Sequence, residues 1–156
     1  MLCCEHIETC SPDGCKACRG TVDYGPKYDA NQKIKLEGYV DSDWVGSAID
    51  RKSTSECCFS MGSGVISWFS RKQSYVALST IEADYVIACL ASCEAVWLRK
   101  LLYYLFDLQM NATCIHCDNQ SCVKLSEIPV FHDKSNHIEI NYHYIRDIVQ
   151  RGVVKL

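Results

Sequence analysis

Polar and apolar residues alternate with a period of two between residues 34 and 41. Leu36 and Val40 fall on one side of an extended chain, whereas Tyr39 and Asp41 fall on the other. Such alternation is typical of a strand that buries one of its faces. We therefore predict a first strand that ends near Asp41.

Two further strands are predicted on either side of a glycine-rich turn. The segments 57–61 and 65–69 are short and largely apolar, and Gly62-Ser63-Gly64 separates them. This arrangement is a hairpin signal. Three consecutive antiparallel strands are thus expected.

A long helix is predicted at residues 79–106. Leu98, Leu101, Leu102 and Leu105 recur at the spacing i, i+3, i+4 and i+7. Apolar residues at this spacing form one stripe along a helix. We expect that stripe to be buried.

The remaining elements follow in the order strand, helix, helix. A strand is predicted at 112–117, a short helix at 119–126 and a final helix at 138–151. The last segment also alternates as a strand would, starting from Ile138 and Ile140, so both interpretations stay open there. The complete order predicts an α/β fold of the mixed α+β kind, with a mixed sheet flanked by helices.

Composition is consistent with one globular domain. The chain has 156 residues, of which 48% are hydrophobic and 22% charged. Those values do not indicate disorder. The net charge of -3 argues against broad electrostatic binding of nucleic acid, although local basic patches remain possible.

No apolar run approaches the roughly 18 residues of a membrane span. The N-terminus also lacks the basic start and apolar core of a signal peptide. We therefore expect no membrane association and an intracellular location, cytoplasmic or nuclear. In a reducing compartment, most of the 12 cysteines would serve as small core residues rather than disulfide partners.

Residues 1–18 differ from the rest and are predicted to be a divergent, cysteine-rich leader before a domain at 19–156. They contain His6 and five cysteines: Cys3, Cys4, Cys10, Cys15 and Cys18. One CxxC pair could bind zinc, but no second pair at standard spacing follows. A small zinc-binding interaction protein therefore remains an alternative that rests on this segment alone.

Four carboxylates stand near the ends of predicted elements: Asp41, Asp84, Asp118 and Glu139. Carboxylates gathered at one place repel one another unless cations neutralise them. The pattern predicts a metal site. The alternatives are ordinary ones, because Asp118 could cap the short helix and Glu139 could favour the dipole of the last helix.

The long helix offers two acids, Glu82 and Asp84. At about 100° per residue, Asp84 lies roughly 40° from Leu98, on the apolar stripe. Glu82 lies on the opposite side and is expected to face solvent. Asp84 is therefore the acid predicted to approach the sheet near Asp41.

Several motifs, in this order, resemble the ribonuclease H domain of copia-type retrotransposon polyproteins. They are Tyr39-Val40-Asp41-Ser42-Asp43-Trp44, Arg51-Lys52-Ser53-Thr54-Ser55, Val76-Ala77-Leu78-Ser79, Cys117-Asp118-Asn119-Gln120-Ser121 and Tyr142-His143-Tyr144-Ile145-Arg146. The resemblance covers about residues 20–156, and the chain stops before the usual end of that domain. It implies a ribonuclease H-like fold with a mixed five-stranded sheet in the order βββαβα(β)α. Periodicity does not locate the fifth strand, which this order sets between the last two helices.

The resemblance also implies an activity, namely endonucleolytic hydrolysis of the RNA strand of an RNA–DNA hybrid. Two Mg²⁺ ions, for which Mn²⁺ may substitute, would be held by Asp41, Asp84, Asp118 and Glu139. His132, on a loop, would assist near the scissile phosphate. The implied partners are the hybrid and, in the intact polyprotein, the reverse transcriptase domain.

Phosphate contacts are predicted at two basic motifs, and their residues are Arg51, Lys52, Ser53, Thr54, Arg71 and Lys72. One departure bears on activity: similar domains carry Glu where this chain has Asp84. Its side chain is one methylene shorter, so its oxygens would fall short of the expected metal position. The alternative function is accordingly a non-catalytic relic or co-opted domain that binds nucleic acid or protein.

Overall fold

The computed structural model describes residues 28–29, 31–45, 49–127 and 136–156. Within them the chain forms eight elements in the order βββαβααβ. They are β1 (Leu36–Asp43), β2 (Thr54–Met61), β3 (Gly64–Lys72), α1 (Thr80–Phe106), β4 (Thr113–Cys117), α2 (Gln120–Glu127), α3 (Asn136–Gln150) and β5 (Val154–Lys155). Residues 1–18 lie outside the described part, so the predicted leader and the zinc alternative stay untested.

The strands form one five-stranded sheet in the order β3-β2-β1-β4-β5. The pairs β1–β2 and β2–β3 are antiparallel. The pairs β1–β4 and β4–β5 are parallel. The mixed five-stranded sheet predicted from the sequence is confirmed.

The fifth strand follows the last helix instead of preceding it. It has two residues, Val154 and Lys155, and pairs with Thr113 and Cys114 of β4. Gly152, with φ of 66°, turns the chain after α3. A strand of two residues is too short to show alternation, which explains why the pattern did not locate it.

Helix α1 has well-defined ends. The Ser79 side chain accepts a hydrogen bond from the Glu82 backbone N–H at 3.2 Å, as an N-cap residue does. At the other end Asp107 adopts a left-handed conformation (φ 52°), and its N–H donates to the Tyr103 carbonyl at 2.8 Å. The predicted span 79–106 is confirmed.

One part of the predicted leucine stripe was wrong. Leu98 and Leu102 are buried, but Leu105 is 62% exposed. Tyr103, Tyr104 and Phe106 are exposed as well, so the last turn of α1 extends beyond the surface that the sheet covers. Helical spacing identifies the apolar face of a helix but cannot indicate at which residue the packing of the sheet against that face ends.

The core lies between the sheet and α1. Its buried apolar residues include Leu36, Val40, Phe59, Ile87, Ala91, Leu98, Ile115 and Ile148. Cys57, Cys89 and Cys122 are buried, as expected for cysteines used as small core residues. Burial raises the pKa of the Cys57 thiol to about 12, so it stays neutral. In the part of the chain that the structure describes, no helix is both long and apolar enough to cross a membrane.

Candidate active site and nucleic-acid interface

Asp84 stands at the centre of the candidate site. It lies near the start of α1 and is only 8% exposed. The Ser42 hydroxyl donates to its Oδ1. The Asn119 side-chain amide donates to its Oδ2 at 2.7 Å. One buried carboxylate thus joins the end of β1, the start of α1 and the loop after β4.

The residues that hold Asp84 are the immediate neighbours of two predicted site residues. Asp41 precedes Ser42, and Asp118 precedes Asn119. Strands β1 and β4 run parallel, with Val40 paired to Cys117, so Asp41 and Asp118 follow the same rung of the ladder. The structure therefore brings the three acid-bearing segments to one end of the sheet.

The three side chains do not, however, share one environment. Along β1 the buried positions Leu36, Val40 and half-buried Ser42 alternate with exposed Tyr39 and Asp41. Successive side chains of a strand point to opposite faces, so Asp41 lies on the face away from α1. Asp118 is also exposed. Asp84 alone is enclosed.

The described residues do not fit a ready metal centre. Among them, no three His, Cys, Asp or Glu side chains are grouped so that they could hold a metal ion. Both oxygens of Asp84 are already hydrogen-bonded to Ser42 and Asn119. The predicted binding of Mg²⁺ by Asp41, Asp84 and Asp118 therefore stays a prediction.

Two predicted site residues cannot be placed in detail. The backbone of Glu139 belongs to the first turns of α3, but its side chain is outside what the structure describes. His132 lies outside the described residues altogether. The roles predicted for both remain predictions.

Glu82 does not face solvent as predicted, since it is 8% exposed. Its Oε2 accepts a hydrogen bond from the Leu78 N–H at 2.7 Å, while its own N–H donates to Ser79. This reciprocal arrangement resembles a capping box, in which the side chain folds back over the helix N-terminus. The angular position of a residue around the helix does not show whether its side chain folds back over the N-terminus. The prediction that Glu82 faces solvent was therefore wrong.

The residue that caps the N-terminus of α2 is Asn119 and not Asp118. Asn119 Oδ1 accepts hydrogen bonds from the backbone N–H groups of Ser121 at 3.0 Å and Cys122 at 3.3 Å. Because Oδ1 faces two donors, the NH₂ group must face Asp84, and the orientation of the amide is chemically determined. The alternative of Asp118 as helix cap was therefore wrong by one residue.

Sequence reasoning missed both residues that hold Asp84. Asn is a favoured N-cap, so the preference for Asn at a helix start could have singled out Asn119. Ser42 shares the inward parity of Leu36 and Val40, which would place a polar hydroxyl on the core face. A buried polar position next to a predicted acid was the available signal.

The predicted phosphate-binding residues meet where β2 begins and β3 ends. Thr54 pairs with Lys72 across the two strands, and Ser55 pairs with Arg71. Lys72 lies 3.1 Å from Asp50, which offsets part of its charge. The two motifs, separate in the sequence, thus form one basic edge.

Within that edge, Lys52 and Ser53 also have structural contacts. The Lys52 ammonium donates to the Ser74 carbonyl at 2.9 Å. Ser53 is fully buried, and its carbonyl accepts the Gln73 N–H at 2.9 Å. The predicted contact of Ser53 with a surface phosphate is therefore contradicted by its burial, whereas Arg51 is exposed before β2.

Comparison with known proteins decides the family question. The retrovirus-related Pol polyprotein from transposon TNT 1-94 of Nicotiana tabacum is 38% identical over 121 residues, which is 78% of this chain and 9% of that polyprotein. The Pol polyprotein from transposon RE2 of Arabidopsis thaliana is 36% identical over 137 residues, 88% of this chain and again 9% of the relative. The chain belongs to the copia-type Pol polyproteins of plants. This copia-type domain spans only 9% of the length of either curated relative.

Solved structures identify the fold of the copia-type domain. LC11-RNase H1, isolated from compost, superposes with a TM-score of 0.55 at 15% identity, over 80% of this chain and 84% of that one. The N-terminal RNase H domain of a Mycobacterium tuberculosis protein superposes with a TM-score of 0.53 at 12% identity, over 79% of both chains. The ribonuclease H-like fold is confirmed. No family model matches the chain.

Proposed function

We propose that this copia-type domain acts on RNA–DNA hybrids as a ribonuclease H, hydrolysing phosphodiester bonds of the RNA strand. One observation carries the proposal. Asp84, buried near the start of α1, is hydrogen-bonded to the residues that follow Asp41 and Asp118. Three acid-bearing segments, distant in the sequence, therefore meet at one end of the sheet.

Two further observations support the choice of substrate. LC11-RNase H1 has been solved in complex with an RNA/DNA hybrid, and this chain shares its fold with a TM-score of 0.53 at 13% identity. The basic edge adds the positive charges of Arg51, Lys52, Arg71 and Lys72, which suit a phosphate backbone. In a complete Pol polyprotein, the proposed partner domain is the reverse transcriptase.

Hydrolysis in this proposal depends on divalent cations, with Asp41, Asp84, Asp118 and Glu139 as the proposed ligands and His132 as a helper. Bound Mg²⁺ would activate water and neutralise the leaving oxygen. Ser42 and Asn119 each donate to one oxygen of Asp84. A carboxylate oxygen that accepts one hydrogen bond keeps a second lone pair, which could bind a cation.

The same contacts favour a second candidate, a domain that binds hybrids without cleaving them. Asp84 carries a shorter side chain than the Glu that similar domains have, and its oxygens are satisfied by protein donors. A carboxylate in that state contributes to folding without any cation. The two candidates differ in catalysis and share the same substrate.

Cleavage of a labelled RNA–DNA hybrid in Mg²⁺ or Mn²⁺ separates the two candidates. We expect cleavage by the native chain, its loss by about 100-fold or more in Asp41→Asn because metal-supported charge stabilisation is removed, and its retention in Asp43→Asn. Asp43 is an exposed acid on the same strand and is the matched control. Cleavage that appears only in Asp84→Glu would establish the non-catalytic candidate for the native chain. Absence of cleavage in every variant would contradict the ribonuclease proposal.

A further inference from the structure

Helix α1 carries two regular stripes of side chains on opposite sides. The buried stripe consists of Ala91, Ala95, Leu98 and Leu102. The second stripe is exposed or half-exposed, follows the first by two residues, and consists of Cys93, Trp97, Lys100 and Tyr104. Two residues correspond to about 200° around a helix, so this outer stripe points away from the sheet.

The outer stripe has the spacing of a helix that pairs with another helix. Its members recur at i, i+4, i+7 and i+11, the alternation of four and three residues that is typical of a coiled-coil seam. Helix α3 packs beside the N-terminal half of α1, where Cys89 and Ile145 belong to one buried cluster. The described residues leave the C-terminal half uncovered, since Trp97 is 55% exposed and Tyr104 is 82% exposed.

This uncovered half presents a large apolar surface. Tyr103 lies beside the outer stripe and is 48% exposed. One aromatic side chain has an area of about 150–250 Å², so the exposed parts of Trp97, Tyr103 and Tyr104 amount to roughly 400 Å² together. A contiguous patch of about 300–600 Å² is the largest that a typical monomer exposes, and such patches often mark protein–protein contacts.

Two charges make the outer stripe complementary to itself. Lys100 lies within the stripe, and Asp107 ends α1 seven residues later. In an antiparallel pair of α1 helices whose two-fold axis passes near Leu102, Lys100 of one copy lies beside Tyr104 and Asp107 of the other. A tyrosine ring, a carboxylate and the negative end of a helix dipole all attract an ammonium group. Parallel helices would instead bring the two Lys100 side chains together.

We propose that the outer stripe is a dimerisation surface, on which α1 of a second copy of this chain packs in the antiparallel direction. A face that binds membranes usually has several cations around its aromatic side chains, whereas this one combines a single lysine with an aspartate. Asp84 lies about 30 Å from Tyr104 along the helix, so the pairing is distant from the candidate active site. The proposal is therefore independent of the ribonuclease activity.

Sedimentation velocity of the native chain over a range of concentrations tests the proposal. We expect a monomer–dimer equilibrium with a Kd of roughly 1–100 μM, because the apolar patch is small for a specific interface. A reducing agent in the buffer prevents cross-linking through the exposed Cys93. A native chain that stays monomeric up to roughly 500 μM would overturn the proposal and leave this face to a different partner.

Two tyrosine variants locate the contact. Tyr104→Ala should weaken the association by about tenfold or more, because it removes a central aromatic side chain. Tyr39→Ala is the matched control, since Tyr39 is 46% exposed on the sheet face away from α1. Circular dichroism would confirm that both variants are folded. Native-like association of a folded Tyr104→Ala protein would place the dimer contact elsewhere and refute the proposal.

A charge exchange tests the antiparallel arrangement. Lys100→Asp would bring two acids together in its own dimer, and Asp107→Lys would bring two lysines together. Each variant alone should therefore associate about tenfold or more weakly than the native chain. An equimolar mixture should recover the dimer, because each contact then joins one lysine to one aspartate. A mixture that associates no better than its two components would contradict the arrangement.

Discussion

Two polar groups near the start of α1 differ in how far the protein itself satisfies them. Asp84 has donors on both oxygens, from Ser42 and Asn119. Among the described residues, Gln73 has hydrogen-bond partners on its NH₂ group, which reaches the carbonyl just before Asp84, and none on its Oε1. Both side chains are at least nine-tenths buried.

The difference bears on what each group can do. The hydrogen bonds of Asp84 connect β1 and the loop after β4 to α1, so this carboxylate stabilises the fold whether or not it binds a ligand. Gln73 Oε1 is enclosed, and among the described residues it has no hydrogen-bond partner. The acid is therefore a connection between three segments, whereas the amide holds a buried acceptor that these residues leave unpaired.

The most disruptive test of this comparison is Asn119→Ala. It removes the cap of α2, worth about 1 kcal/mol, and leaves a buried oxygen of Asp84 without its donor, which costs about 1–3 kcal/mol. We expect the free energy of unfolding in urea to fall by about 2–4 kcal/mol. The free energy of unfolding of Asn119→Ser should lie between those of the native chain and Asn119→Ala, because serine can cap the helix but cannot reach Asp84. A loss below about 0.5 kcal/mol in Asn119→Ala, the size of an ordinary surface change, would mean that these contacts do not form in solution.

Ser42→Ala removes the other donor to Asp84 without affecting a helix cap. The expected loss is about 1–2 kcal/mol, measured in the same urea titration, because Asp84 Oδ1 is left unpaired in a buried place. Ser74→Ala, at an exposed serine beyond β3, is the control and should be neutral. Equal stability of the two variants would show that Asp84 does not depend on Ser42.

Gln73→Leu tests the other half of the comparison. It removes two hydrogen bonds but also an unsatisfied acceptor, and leucine has a similar volume. We therefore expect a loss of about 1 kcal/mol, smaller than that of Asn119→Ala. Thermal unfolding followed by circular dichroism would measure it. A larger loss than in Asn119→Ala would reverse the ranking and identify Gln73 as mainly structural.

Asp41→Asn should have the smallest effect on stability, within about 0.5 kcal/mol, because the side chain is exposed on the face away from α1. The urea midpoint and slope should both match those of the native chain. The same variant is expected to abolish cleavage, so stability and activity would separate at this residue. Destabilisation by more than about 1 kcal/mol would indicate that Asp41 is engaged in the fold.

Local patterns were sufficient for most of the elements. The period of two at Leu36 and Val40 predicted β1, the Gly62-Ser63-Gly64 turn predicted the hairpin, and the leucine spacing predicted α1. Each of these patterns involves only residues that are close in the sequence, so it can be recognised without knowledge of the fold. They did not extend to β5, which has two residues, or to Leu105, whose exposure depends on where the sheet ends.

The candidate site depended more on tertiary structure. Motif resemblance selected Asp41, Asp84 and Asp118, and parallel pairing of β1 with β4 brought their segments together. Ser42, Asn119 and Gln73 escaped prediction because their partners are distant in the sequence. The predictions that Glu82 faces solvent and that Asp118 could cap α2 were wrong for a related reason. Helix capping depends on which single side chain folds back over the end of the helix.

The sequence by itself determined the family, the order of the first six elements and which acids approach one end of the sheet. Those properties follow from residue identity and short-range periodicity, which tertiary contacts do not alter. Only the tertiary structure decided that Asp84 is enclosed by Ser42 and Asn119, while Gln73 Oε1 is buried without a partner in the part of the chain that the structure describes. Hydrogen bonds across 42, 35 and 10 residues set that difference, and no local pattern encodes which buried group will find its partner.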